Sequence, residues 1–213
     1  MLCLLPVLFT FLSSSAQAHS PDEAHPHDGI IAPIKNPPKA VQLNSNDMET
    51  LKKGQPVLKQ TKDASQASGV AVQYVSATAD NVWSTILNYN RYDDWVSNVD
   101  SCRVYKKEQN TLYVETLSSL GFMKFGVYTK NTVHRDKGYM TWTLDYDKNS
   151  DLNDSVGYWR VEQISVTPPV TVVEYHSKVK VGNMPVIVEK FLRNEALLKG
   201  TSWVKKQAEK LRK

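Results

Sequence analysis

From residue 99 to residue 181 the chain alternates apolar and polar side chains almost without a break, interrupted only by short turn-forming stretches. A period of two is the period of a β-strand, whose successive side chains point to opposite faces. The strands read as 99–107 and 111–117, flanking the turn Glu108-Gln109-Asn110, and then 122–134 and 139–146, flanking 135–138. A polar loop over 147–154 leads to 156–164 and 171–181, joined through Thr167-Pro168-Pro169. Met123, Phe125, Val127, Thr129 and Val133 fall on one face of their strand, with Lys124, Tyr128, Lys130 and His134 on the other. Met140, Trp142, Leu144 and Tyr146 share a face, as do Val173, Tyr175, Ser177, Val179 and Val181. Glu174, His176, Lys178 and Lys180 take the opposite side of the last strand and read as facing water. Short turns between successive strands make them antiparallel neighbours, so the sheet is expected to be covered on one face and wet on the other.

The flanks supply the cover. Residues 69–76 alternate as one more strand, Thr78 is placed to cap a helix running to about Leu87, and Val82, Trp83, Ile86, Leu87 and Tyr89 form its apolar stripe. Tyr92 and Trp95 follow in a second short helical segment that wedges the first against the sheet. At the other end, 185–212 reads as one long helix with Pro185 in its first turn. Its apolar side carries Val186, Ile187, Phe191, Leu192, Leu197, Leu198, Val204 and Leu211, with Trp203 at the edge. Gly200, in mid-helix, signals a bend or a close approach. The expected fold is α+β: a curved antiparallel sheet of six to seven strands wrapped around a long C-terminal helix, with two short helices after the first strand. One helix over a bent sheet leaves a hollow.

The first 18 of the 213 residues are apolar, then Ser-rich, and end in Ala16-Gln17-Ala18, a small-x-small cleavage signal. A signal peptide cleaved after Ala18 predicts a periplasmic or secreted protein. Residues 19–40 hold five prolines and no periodicity, and are expected to be disordered or loosely laid on the surface. His19, His25, His27 and Asp28 lie there, but a flexible tract loses entropy for each ligand it fixes, and no metal site is expected. Residues 41–68 form an extension with a short helix, capped by Ser45 or Asn46 and stopped by Gly54, and a short strand at 55–59. The main domain is 69–213. Past the signal, Cys102 is the one cysteine, so no internal disulfide can form, and it reads as a buried spectator. From Met184 onward eight basic residues oppose three acidic ones, against a whole-chain net charge of +4. That is not a nucleic-acid binder, although the basic helix face could touch a membrane surface transiently.

Three stretches carry a resemblance: SATADNVWSTILNYNRYDDWVSNV (76–99), GYWRVEQI (157–164) and MPVIVEKFLR (184–193). With the element order they resemble the START-like helix-grip superfamily, also called the polyketide cyclase and coenzyme Q-binding superfamily, over residues 43–210. METLKKGQPVLKQ (48–60) looks like an extension on its bacterial secreted members. The resemblance implies a deep apolar cavity between sheet and terminal helix for a lipid, sterol, quinone, polyketide or other hydrophobic molecule. The cavity candidates are Phe125, Trp142, Trp159, Tyr175, Met184, Phe191 and Leu198.

Catalysis would need an inward acid or base pair. His134 and His176 alternate outward, Arg160 sits opposite Trp159, and Asp145 and Glu162 alternate away from the aromatic positions. Inward hydroxyls (Thr116, Ser118, Thr129, Ser177) have no evident base. No nucleophile-elbow, zinc-protease or phosphate-loop motif occurs, so no cofactor is expected. The expectation is a non-catalytic carrier or binder of a hydrophobic small molecule or lipid in the cell envelope. A cyclase- or hydrolase-type enzyme using the same cavity is the alternative. A third reading is an interaction module whose hollow is closed by its own core.

Overall fold

The computed structural model describes residues 22–62, 67–180 and 196–211. Among these residues eight strands form one antiparallel sheet: β1 (Val57–Lys62), β2 (Ala67–Val75), β3 (Val99–Glu108), β4 (Thr111–Leu120), β5 (Met123–His134), β6 (Tyr139–Leu144), β7 (Asp154–Val166) and β8 (Pro169–Lys180). Their order across the sheet is β1-β2-β8-β7-β6-β5-β4-β3. The strand read in the N-terminal extension pairs with β2, Val57 opposite Val72, and this brings the count to eight. The helices are α1 (Ser45–Lys52), α2 (Ala79–Ile86), α3 (Tyr92–Trp95) and α4 (Ala196–Lys210). Residues 1–21 and 181–195 lie outside the described residues, and with them the signal peptide and the expected start of the last helix.

Local chemistry explains the helix starts. Asn44, one residue before the expected cap, closes a reciprocal capping box with Asp47 on α1. Thr78 accepts from the Asn81 N–H at 3.2 Å and fixes the start of α2. The apolar stripe of α2 buries Val82, Trp83 and Ile86. α4 packs along β2 and against α2 and β8. The main core joins these helices to Met140, Trp142, Trp159, Val161, Val173 and Val75 on the inner face of the sheet. Trp203 is not at the helix edge but buried in that core, because Tyr92 and Trp95 pack against it.

The outer face differs from expectation. It is not simply wet, because the N-terminal segment covers part of it. Leu51 of α1 joins Val57, Val70 and Val72 in a second apolar cluster. Val41 donates its N–H to the Glu174 carboxylate at 3.2 Å, and Glu174 is 2% exposed. Further back, the Ile30 and Ile31 N–H groups donate to Asp154 Oδ2 at 2.8 and 2.6 Å. Asp22 pairs with Lys148 at 2.8 Å. Residues 22–31 are therefore not a disordered tract: a buried carboxylate gathers their backbone donors. The two histidines of this segment hold the β6–β7 loop. His25 Nε2 donates to the Asn153 carbonyl at 2.9 Å, and His27 Nε2 donates to Asn153 Oδ1 at 3.1 Å. Their Nδ1 atoms accept from the Ser150 and Gly29 N–H groups.

Candidate ligand-binding site

Pairing register fixes which side chains share the inner face. Trp142 lies opposite Gly157, Met140 opposite Trp159, and Trp159 opposite Tyr175. The outcome is a wall of aromatic rings across β6, β7 and β8. Tyr175 is held between Trp142, nearly parallel at 5.5 Å, and Trp159 at 4.5 Å. Trp159 meets Trp203 of α4 edge-on at 6.4 Å, and Trp203 in turn meets Tyr92 at 4.8 Å. Such offset and edge contacts add to area burial and hold rings in one arrangement. Two glycines make the wall possible. A Cβ at Gly157 would stand 2.2 Å from the Trp142 ring, and one at Gly200 would stand 2.8 Å from the Tyr175 ring. Gly200 is thus a point of close approach between α4 and the wall.

The wall divides the inner face. On one side lies the packed core under α2 and α4. On the other, toward the start of β5 and the end of β8, the inner-face positions Thr116, Phe125, Val127, Thr129 and Ser177 are only half-buried. This second half is the candidate site. Its polar groups are largely paired among themselves. Trp142 Nε1 donates to Ser155 Oγ at 3.3 Å. Asn131 Nδ2 donates to Thr129 Oγ1 at 2.8 Å and to the Leu112 carbonyl at 3.3 Å. Burial pushes the Tyr175 hydroxyl up, and a hydrogen bond with Ser177 draws it partly back. Burial pushes the Cys102 thiol up to about 11, against the pull of its bond to Thr116 Oγ1, so it remains a thiol rather than a nucleophilic thiolate.

The expected lining residues separate into three groups. Trp142 and Trp159 are 8% and 6% exposed, and with half-buried Tyr175 they build the wall. Phe125 stands on the inner face of β5 opposite Ser118, beyond the wall and half-buried. Met184 and Phe191 lie outside the described residues, as does the side chain of Leu198. Sequence reasoning missed Trp203, Ser155 and Asn131. The first sits on a helix whose face is ambiguous from spacing alone, and the other two are polar residues at positions where an apolar pattern gives no signal.

Among the described residues the charged groups lie elsewhere. Across β2 and β4 to β8 the inner face carries no carboxylate and no imidazole. His176 stacks on Tyr158, 5.0 Å and nearly parallel, on the outer face. His134 meets Tyr139 at 4.6 Å on that same face. Among the described residues no three metal-ligating side chains converge. A separate, half-open groove of about 240 Å³ lies on the outer face between Pro33, Ile34, Lys130, Thr132, Thr141 and Thr143.

An unclosed antiparallel sheet holding a C-terminal helix against its inner face defines the helix-grip class of α+β proteins. Residues 66–213 match the family described as polyketide cyclase / dehydrase and lipid transport, and the chain belongs to that family. No curated protein matches it. Among solved structures, an aromatase/cyclase from Streptomyces sp. R1128 superimposes with a TM-score of 0.58 at 12% identity, over 74% of this chain and 97% of that one. A START superfamily protein from Mycobacterium smegmatis gives 0.56 at 14% identity, over 67% and 97%. A STAR-related lipid transfer protein from Xanthomonas axonopodis gives 0.50 at 15% identity, over 73% and 99%. At these identities the likeness is one of fold.

Proposed function

We propose that this protein is a non-catalytic carrier or binder of a hydrophobic small molecule or lipid, held on the inner face beyond the Trp142–Tyr175–Trp159 wall. One observation carries the reading. The half-buried part of the inner face offers rings, aliphatic side chains and hydroxyls, and its strands place no acid or base there. Such a surface binds apolar matter and orients it with a few hydrogen bonds, and among the described residues its strands bring no carboxylate or imidazole to serve as a general acid or base. Family membership supports the ligand class, since the family description includes lipid transport. The first 18 residues support a place in the periplasm or outside the cell.

The test is native mass spectrometry and lipid extraction on protein purified from its own envelope, followed by uptake of a fluorescent fatty acid. The expected result is a co-purifying hydrophobic molecule and saturable uptake. Ser177→Trp, which puts bulk beside Tyr175 on its open side, lowers that uptake about tenfold, the cost of losing one buried side chain's worth of contact. Protein that is consistently empty and takes up nothing overturns the reading. The fold shared with the Streptomyces aromatase/cyclase keeps a second reading in view, an enzyme acting on a ligand in the same cavity. Turnover of a polyketide-like substrate that survives loss of uptake by nonspecific sites and disappears in Ser177→Trp establishes it.

A further inference from the structure

The β4–β5 hairpin ends in an unusual tip. Leu120 pairs with Met123, leaving Gly121-Phe122 as a two-residue turn. Gly121 takes φ +64, the left-handed value that the first central position of such a turn demands, and Phe122 needs no positive φ. Phe122 is 96% exposed, the most exposed large hydrophobic side chain among the described residues. Leu117, five residues back, is 39% exposed, and Leu120 and Met123 beside the tip are half-buried. Behind this apolar end the next pair is Ser119 with Lys124. The hairpin is also held stiffly. The loop after β6 grips β5 at Gly126 and Tyr128, through the Asp151 N–H to the Gly126 carbonyl and the Asp145 N–H to the Tyr128 carbonyl, both 2.9 Å. The last three pairs project past that grip.

The position matters as much as the exposure. Ser118 and Phe125, the pair directly behind Lys124, face inward onto the open half of the inner face. The tip therefore stands at the same end of the sheet as the half-buried inner-face positions of the candidate site, opposite the end that carries α2. We propose that the Leu120–Met123 tip is a membrane finger: it inserts shallowly into a lipid bilayer and sets the mouth of the site against that surface. This deepens the carrier reading and rests on it.

A bilayer fits the tip better than a protein partner for two physical reasons. A single convex aromatic point needs a deformable apolar medium, whereas a protein would need a matching pocket. The order apolar tip, then hydroxyl and lysine one pair higher, follows the order of a leaflet from acyl chain to headgroup. Lys124 would meet headgroup phosphates at that depth, about 3.4 Å of rise per residue above the apolar pair. This contact differs from docking through the basic C-terminal helix, which would depend on charge alone.

The experiment uses Phe122→Cys labelled with an environment-sensitive NBD dye. Cys102 is buried and does not compete for label. On adding vesicles of phosphatidylcholine mixed with phosphatidylglycerol, the dye emission shifts blue and brightens. In unlabelled protein, Phe122→Asp weakens co-sedimentation with the same vesicles about tenfold or more. Lys124→Glu weakens it on the mixed vesicles and leaves pure phosphatidylcholine unaffected. Fatty-acid uptake from solution stays normal in Phe122→Asp and falls about tenfold in Ser177→Trp, so loss of the finger and loss of the site are told apart. The proposal is overturned if Phe122→Asp sediments like the parent. It is equally overturned if the dye stays in a water-like environment on every vesicle and shifts only with a protein extract, or if Lys206→Glu with Lys210→Glu abolishes binding while Phe122→Asp does not.

Discussion

His176 and Glu174 stand two positions apart on β8, on the face that alternation assigns to water, yet both are shielded from it. Glu174 is buried beneath Val41 and bound by Arg160 Nη1 at 2.9 Å, with its second oxygen unpartnered among the described residues. His176 lies flat on Tyr158 with its Nδ1 buried and unpartnered among those residues. Burial, helped by nearby Lys178, holds the imidazole down to about 4 from an ordinary 6.5. The unfolded chain therefore binds a proton at this position between about pH 6.5 and 4 that the folded chain does not, and stability falls as the pH falls through that window. Burial pushes Glu174 the other way, above its ordinary value, despite the pull of Val41 and Arg160. The folded chain then takes up that proton first, which returns some stability as the pH falls. Carboxylates held low by bonds to cations, such as Glu115 by Arg103 and Glu209 by Lys205, begin to cost stability only within and below the carboxylate range. The expected outcome is that His176→Phe, which keeps the stacked ring, flattens the fall in Tm from pH 6.5 to 4. Glu174→Gln steepens it. Circular-dichroism melts across that range check both, and an unchanged slope in His176→Phe refutes the assignment. Alternation in the sequence placed both residues on the outer face, and that placement stands. It could not say the face was covered, because a period of two separates two faces without saying which meets solvent.

At the scale of elements, the informative contact is between α4 and β8. Gly200 looks like a helix defect, since glycine costs a helix about 1 kcal/mol relative to alanine. The Tyr175 ring explains it: a Cβ there would sit 2.8 Å from the ring, in a side chain already pinned between Trp142 and Trp159. Gly200→Ala should therefore destabilise the protein by about 1 kcal/mol net, with an overpacking cost of roughly 1–3 kcal/mol outweighing the gain in propensity. A urea midpoint decides it, and a more stable alanine variant would mean that α4 can lift from the sheet freely. The strands from β3 to β8 were legible because their side chains alternate and their turns are short, so the pairing of successive strands followed, whereas the pairing of β2 with β8 and of β1 with β2 did not. Phe125 and the Trp142–Trp159–Tyr175 set were likewise readable as inner-face residues from period alone. What could not be read was that Trp142, Trp159 and Tyr175 would pack on one another as a wall. That depends on Gly157 lying opposite Trp142 across the β6–β7 pair, a register that only the folded sheet defines.

At the scale of the whole molecule, residues 22–62 lie before the family match, yet they are built into the fold. β1 pairs along β2, which would otherwise be the open edge of the sheet and a template for unwanted pairing. α1 and the segment before it lie over the outer side of β1, β2 and β8, and the inner side of β8 carries Tyr175 of the wall. The absence of periodicity in 22–40 hid this role, because the segment is held by its backbone donors, not by an apolar stripe. Asp154 is the main anchor. It is fully buried and accepts four donors: the Ile30, Ile31 and Ser155 N–H groups and the Tyr146 hydroxyl, all between 2.6 and 2.9 Å. Asp154→Asn keeps the shape but turns one acceptor oxygen into an NH₂ group, which either faces the Ile30 and Ile31 donors or displaces the other two. The expected cost is about 2 kcal/mol, the penalty of leaving buried donors without an acceptor. Hydrogen exchange separates this local role from general destabilisation. The Ile30 and Ile31 amides should exchange about tenfold faster or more under native conditions, while amides of β4 and β5 keep their protection. Tryptophan emission should stay unchanged, since the aromatic wall lies on the other side of the sheet. Equal protection at Ile30 and Ile31 in the variant would show that the segment is held by something other than this carboxylate.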